Sequence, residues 1–143
     1  MHTKFKLFLG VAAFFLMGLQ TASAQIFQTK TNIIQKYGSD YTAHTANDNT
    51  KYITYNDEVE TEDRGTFAQT IAMYFVELDD KTEMCYMFKI FVPETEINTL
   101  KSYIRENLVQ TDTAEWKDYD NKILYQITTG AGLCVLTVVY NED

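Results

Sequence analysis

The sequence EMCYMFKIFV, residues 83–92, gives the clearest indication of how this chain folds. Apolar side chains recur at every second position, which is the period of a β-strand with one face on a core. Cys85, Met87 and Phe91 make the second face less polar than a solvated face, so the strand is predicted to be central or partly covered on both sides. The predicted core face consists of Met84, Tyr86, Phe88, Ile90 and Val92.

Pro93 ends this strand, and an amphipathic helix is predicted from Glu94 to Val109. Its apolar positions are spaced by three, four and four residues, which forms one stripe along a helix. The stripe consists of Ile97, Leu100, Ile104 and Leu108.

A first helix is predicted over residues 28–37, with Thr29 as its N-cap and Gly38 as its C-cap. Four further apolar segments have the length and alternation of strands. They are residues 51–55, 66–78, 122–129 and 133–140, and the polar segments 38–50, 57–65 and 110–121 are predicted to be loops.

The order of these elements is α-β-β-β-α-β-β. Short connections favour antiparallel neighbours, and both helices can then cover the same side of the sheet. The predicted fold is an α+β domain with two helices packed on one face of a mainly antiparallel, about five-stranded sheet.

The stretch from Ile33 to Val92 resembles the unit of the β-lactamase-inhibitor-like and outer-membrane-assembly small domains. Those domains place a short helix and a glycine before a three-stranded antiparallel meander, as residues 33–38 and the following segments do here. The likeness covers about half of the chain that follows the signal. It implies protein binding in the cell envelope rather than catalysis.

Residues 1–24 have the three parts of a cleavable bacterial secretion signal. Lys4 and Lys6 form a basic region, residues 7–19 are almost wholly apolar, and residues 22–24 are small, which predicts cleavage after Ala24. We therefore expect one small domain, residues 25–143, to be secreted or periplasmic. No membrane insertion is expected after cleavage, because no later segment is long and apolar enough to span a bilayer.

The chain is acidic, with a formal net charge of −8 that becomes −10 once Lys4 and Lys6 leave with the signal. An acidic domain repels phosphate backbones, so nucleic acid is not an expected partner. The charge favours solubility and attraction to a basic partner.

Cys85 and Cys134 are the two cysteines. An oxidising compartment permits a single bridge between them, provided that their Cα atoms lie within about 7 Å. The alternative is two separate buried thiols that pack as small apolar side chains.

The residue inventory offers little for catalysis, and no cofactor or metal is expected. His44 is the only histidine after the signal, and the chain contains no Gly-x-Ser-x-Gly segment. The acidic runs lack the ligand spacing of a calcium loop, and no phosphate-binding glycine motif is present. A hydrolase that uses two carboxylates is the enzyme class left open.

The chain has ten tyrosines and one tryptophan. Tyrosine and tryptophan are enriched at protein interfaces, whereas buried tyrosines commonly fill a sheet face with their hydroxyls at the rim. We therefore expect an exported, non-catalytic domain that binds a protein or a cell-envelope component, or else a small ligand on the uncovered sheet face. The aromatic residues near element ends that could form the interaction surface are Tyr41, Tyr52, Tyr55, Trp116 and Tyr119.

Overall fold

A computed structural model describes residues 26–63, 65–102, 104 and 108–142. The predicted signal peptide, residues 1–24, lies outside the described residues. None of the helices in the described part of the chain has the length and hydropathy of a membrane-spanning segment.

The described chain forms one eight-stranded sheet in which all neighbouring strands are antiparallel. The spatial order is β1-β2-β3-β4-β8-β7-β6-β5, so two four-stranded meanders meet where β4 pairs with β8. The strands are β1 (Thr42–Thr45), β2 (Lys51–Thr61), β3 (Gly65–Glu77), β4 (Glu83–Pro93), β5 (Val109–Asp112), β6 (Glu115–Asp118), β7 (Ile123–Gly130) and β8 (Leu133–Tyr140).

Two short helices precede the two meanders. Helix α1 spans Lys30–Tyr37, and helix α2 spans Ile97–Lys101 after a 3-10 turn at Glu94–Glu96. The caps predicted for the first helix are confirmed: the Asn32 backbone N–H donates to the Thr29 hydroxyl, and Gly38 ends the helix with φ 100°.

The prediction of an α+β domain with about five strands and two helices packed on one face is wrong, because the fold is dominated by the eight-stranded sheet. Three strands, β1, β5 and β6, lie in segments that were predicted to be loops. Each has only four residues and none is buried, so no apolar alternation marks them. The described α-helix in the second half is also much shorter than the predicted span from Glu94 to Val109.

The acidic segment after residue 56 was likewise predicted to be a loop, but Asp57, Glu58 and Glu60 lie within β2. This half of β2 pairs with β3 on one side, whereas β1 pairs only with Lys51–Thr54 on the other. Charged side chains on an open strand edge hinder pairing with other chains, which accounts for an acidic strand at this position.

The core consists of the side chains that alternate onto one face of the sheet. One cross-strand line runs from Tyr55 through Ile71, Ile90 and Leu136 to Ile127, and all five residues are buried. Each such side chain contributes roughly 1.5 to 3 kcal/mol when it leaves water. Other elements complete the same cluster with Ile26, Ile33 and Leu100, and with the half-buried Ile104 and Leu108.

A β-bulge changes which residues of β4 face this core. Tyr74 of β3 pairs with Met87, but the next residue, Phe75, pairs with Cys85, so Tyr86 is the extra residue on β4. Cys85 is therefore 1% exposed, while Tyr86 is only half-buried. The predicted core positions Phe88, Ile90 and Val92 are buried, whereas Met84 and Tyr86 are not.

Cys85 and Cys134 do not form the disulfide that the sequence permits, because both are free, buried thiols. Cys134 lies opposite Val92 in the pairing of β4 with β8. Val92 is seven positions from Cys85 along β4, a distance of roughly 23 Å in an extended strand, far beyond the ~7 Å between Cα atoms that a bridge allows. Burial raises the pKa of the Cys85 thiol to about 12, so it stays protonated at neutral pH.

Candidate binding face of the sheet

The aromatic residues chosen from the sequence do not form one surface. Tyr55 is 7% exposed in the core, where its hydroxyl donates to the Gly38 carbonyl over 2.8 Å. Tyr41 packs beside it, with ring centroids 6.0 Å apart, and Trp116 is also half-buried against the core cluster.

The other two predicted residues lie apart from this group and from each other. Tyr52 points to the opposite face of the sheet, because it alternates with the buried Ile53 and Tyr55 along β2. Tyr119 follows β6 and is 57% exposed, with the Lys117 ammonium 5.5 Å from its ring centroid.

Tyr52 belongs to the sheet face opposite the core, the uncovered face on which a small ligand was the alternative prediction. We call it the outer face: the strand side chains that point away from the buried cluster. Register pairs connect one residue of every strand into a single line across it, the first row. From one sheet edge to the other, the first row consists of His44, Tyr52, Tyr74, Met87, Val139, Leu124, Lys117 and Val109.

Three rings at one end of the first row form an aromatic stack. The centroids of His44 and Tyr52 are 4.7 Å apart with an interplanar angle of 15°, and those of Tyr52 and Tyr74 are 4.7 Å apart at 25°. His44 Nε2 also lies 2.9 Å from the Thr54 hydroxyl oxygen. The hydrogen bond and the stacking hold the rings in one orientation, so the stack is a rigid ridge.

The Lys89 side chain lies over Tyr74, the ring of this stack that is nearest the centre of the sheet. Its ammonium lies 5.6 Å from the Tyr74 ring centroid, within the range of a cation–π contact. Burial among neighbouring side chains raises the pKa of Tyr74, with further contributions from Tyr52 and Tyr86. The Tyr74 hydroxyl is therefore neutral at physiological pH.

Two further rows lie parallel to the first. In the second row, Gln126 Nε2 donates to a Glu115 carboxylate oxygen over 3.0 Å, and in the third row the Thr70 hydroxyl donates to Asn56 Oδ1 over 2.7 Å. The second row consists of Thr42, Thr54, Ala72, Lys89, Thr137, Gln126, Glu115 and Asp112. The third consists of Asn56, Thr70, Phe91, Val135 and Thr128.

The centre of the outer face has few charges. Where β3, β4, β8 and β7 cross the three rows, Lys89 is the only ionisable side chain other than Tyr74. Aromatic, methionine and aliphatic residues with few charges are typical of the buried centre of a protein interface. The sequence alone indicated part of this low polarity, because Met87 and Phe91 make the second face of β4 less polar than a solvated face.

The stacked rings are poorly suited to hold a planar ligand. Their flat faces point at one another along the row, so the ring edges and hydroxyls are what the stack presents to a ligand above the sheet. Single-stranded nucleic acids bind through bases that stack on open aromatic faces. The geometry instead suits contact with apolar protein side chains.

In the described part of the chain, the titratable side chains outside the outer face form no arrangement that is typical of a catalytic site. The pKa values of Asp48 and Asp80 are lowered, in each case by hydrogen bonds from a threonine two residues later in a turn, Thr50 and Thr82. Within the described ranges, no group of three or more His, Cys, Asp or Glu side chains could hold a metal ion.

One depression lies at the end of β6 and β7, with a volume of about 110 Å³. It is lined in part by Lys117, Tyr119 and Lys122. Pockets for drug-sized ligands are roughly 300 to 1,000 Å³, so this one is small for such a ligand.

Comparisons of this chain with protein-family models, curated proteins and solved structures find no match.

Proposed function

We propose that this protein is an exported, non-catalytic domain that binds a protein partner in the cell envelope through the outer face of its sheet. The observation that carries the proposal is the centre of that face, where three rows across four central strands contain a single charged side chain, Lys89. In the first row these strands present an unbroken line of apolar and aromatic side chains, Tyr74, Met87, Val139 and Leu124. A continuous apolar patch is a feature of interaction sites in soluble proteins.

The rigidity of the face supports the same proposal. Association costs free energy when side chains must be ordered, typically about 0.5 to 1.5 kcal/mol for each flexible side chain. Here Tyr52 and Tyr74 are already held by stacking, and Phe91 and Val139 lie on central strands of a continuous sheet. A partner can therefore bind with a small ordering cost.

A small ligand on the same face is the second candidate, and the packing of the rows disfavours it. Ligand sites are concave and bury most of the ligand. Tyr74, Met87 and Val139 are neighbours in one row and are each half-buried, so they shield one another instead of lining a hollow.

The proposal is tested by capture from an envelope extract on immobilised protein, residues 25–143. Phe91→Asp places a charge at the centre of the outer face, and the matched control Leu78→Asp places the same charge on an exposed apolar residue of the β3–β4 turn. We expect the unaltered protein and Leu78→Asp to retain the same discrete protein and Phe91→Asp to lose it. Retention that is equal in all three would refute the assignment of the outer face.

A further inference from the structure

We infer that the occupant of the outer face is a second copy of this chain, which makes the protein a face-to-face homodimer. This inference rests on the proposed function, because it takes the outer face as a binding surface. It starts from the second row, where Lys89 on β4 and Glu115 on β6 lie three strands apart. That separation is roughly 14 Å, too long for an ion pair within one chain.

A two-fold axis parallel to the strands makes these two residues meet between chains. When the axis runs midway between β8 and β7, it places β4 of one copy over β6 of the other. The rotation does not change positions along the strands, so each row of one copy lies over the same row of the other. Lys89 then faces Glu115 of the second copy, and Glu115 faces Lys89 of the second copy. An isologous contact of this kind repeats each pair twice, so one complementary pair becomes two.

The same rotation brings the first row of one copy over the first row of the other. Val139 on β8 faces Leu124 of the second copy, and Met87 faces the aliphatic stem of Lys117 of the second copy. Packed sheets in β-sandwiches lie about 10 Å apart with their strand directions within roughly 30°, a spacing that side chains of these sizes fill. The apolar side chains of the first row in one copy are thus covered by those of the first row in the other.

The charge of the outer face permits this contact although the whole chain is acidic. Its three rows carry two lysines and two carboxylates, namely Lys89, Lys117, Glu115 and Asp112. The charges of the rows therefore cancel, whereas the formal net charge of the chain is −8. The acidic residues 57–63 lie at the end of the β2–β3 hairpin, away from the proposed axis.

Both members of the pair retain the capacity to interact across the dimer. Glu115 accepts hydrogen bonds from Gln126 and from the Thr111 hydroxyl, and a carboxylate has about four acceptor sites. Lys89 lies over the Tyr74 ring, a contact that leaves ammonium hydrogens for a carboxylate.

The size of the overlap predicts the strength of the dimer. Six strands of each copy overlap, about 29 Å in width. The first two rows extend over all six strands and the third row over four, so an overlap of about 17 Å along the strands buries at most roughly 1,000 Å² in total. Interfaces of this size lie at the lower limit for specific association. We therefore expect a dimer that dissociates on dilution in the micromolar range.

Sedimentation velocity across a dilution series tests the inference on residues 25–143. We expect Lys89→Glu to weaken dimerisation at least tenfold, because each of its two pairs becomes a repulsion between carboxylates. The double variant Lys89→Glu/Glu115→Lys should return the dissociation constant to within about threefold of the unaltered protein. The matched control is Lys36→Glu, since the Lys36 ammonium also lies over a tyrosine, 5.3 Å from the Tyr37 centroid, but on α1.

Two outcomes would overturn the inference. One is a monomer at every concentration up to about 1 mM, and the other is a dimer that Lys36→Glu weakens as much as Lys89→Glu does. A monomer whose capture of a different envelope protein is lost in Phe91→Asp refutes the homodimer and leaves the proposed function standing. A monomer whose capture does not depend on Phe91 refutes both.

Discussion

The neighbours Ile90 and Phe91 on β4 provide a direct measure of how differently the two faces of the sheet are packed. Ile90 is 0% exposed in the core, whereas Phe91 is half-buried on the outer face. Ile90→Ala removes three carbon atoms, which costs roughly 2.4 kcal/mol at about 0.8 kcal/mol for each buried methylene. The remaining cavity adds about 1 to 2 kcal/mol, so we expect a total loss near 4 kcal/mol.

Phe91→Ala removes a larger side chain but should cost much less. Its site is open on one side, so truncation leaves no closed cavity, and only part of the burial free energy is lost. We expect a decrease in the free energy of unfolding of about 1 to 1.5 kcal/mol. The larger side chain therefore has the smaller effect, which is the opposite of the order for two equally buried residues.

The assay is urea unfolding at 25 °C, followed by circular dichroism, at a protein concentration below dimer formation. The slope of free energy against urea should be the same for both variants, so that the midpoints report stability alone. A loss of about 3 kcal/mol or more for Phe91→Ala would refute the reasoning, because it would show that the outer face is already closed within the monomer. Repeating Phe91→Ala at high concentration separates a dimer contribution from a monomer one.

Two further predictions concern the helix cap and the buried thiol. Thr29→Ala removes the acceptor for the Asn32 N–H at the start of α1 and should lower the free energy of unfolding by about 1 kcal/mol, with Thr29→Ser restoring most of it in the same urea assay. Because the pKa of Cys85 is raised in the fold to about 12 from 9.0, its contribution to stability is fully present below about pH 9 and is lost as the pH rises toward 12. Between pH 8 and 10, the melting temperature should fall more steeply with rising pH for the unaltered protein than for Cys85→Ala. Equal slopes of melting temperature against pH would contradict the burial of this thiol.

The sequence determines the central strands because their patterns follow from burial. β8 was predicted with the same bounds that the structure has, and β4 was predicted to within one residue. Both strands lie in the middle of the sheet, where one face must leave water, and this requirement imposes apolar alternation. The caps of α1 were also predictable, because Thr29 and Gly38 satisfy backbone groups that are local in sequence.

The short strands β1, β5 and β6 could not be found in the same way. They lack buried residues, and their pairing is fixed by backbone hydrogen bonds to strands that are already in place. The acidic half of β2 was missed for a related reason, since its partner β3 holds it in extended form although its own residues favour a solvated loop.

The candidate site depends still more on tertiary structure. The sequence alone determined that the second face of β4 is unusually apolar, through Met87 and Phe91, and that tyrosine is abundant. Alternation along β2 already separates Tyr55, which lies in the core, from Tyr52. Register decided which residues lie beside Tyr52, because it placed His44, Tyr52 and Tyr74 in one row. Alternation along a strand is a local property that the sequence records, whereas the residue that lies opposite on the next strand is chosen by turns, bulges and strand order that only the assembled sheet determines.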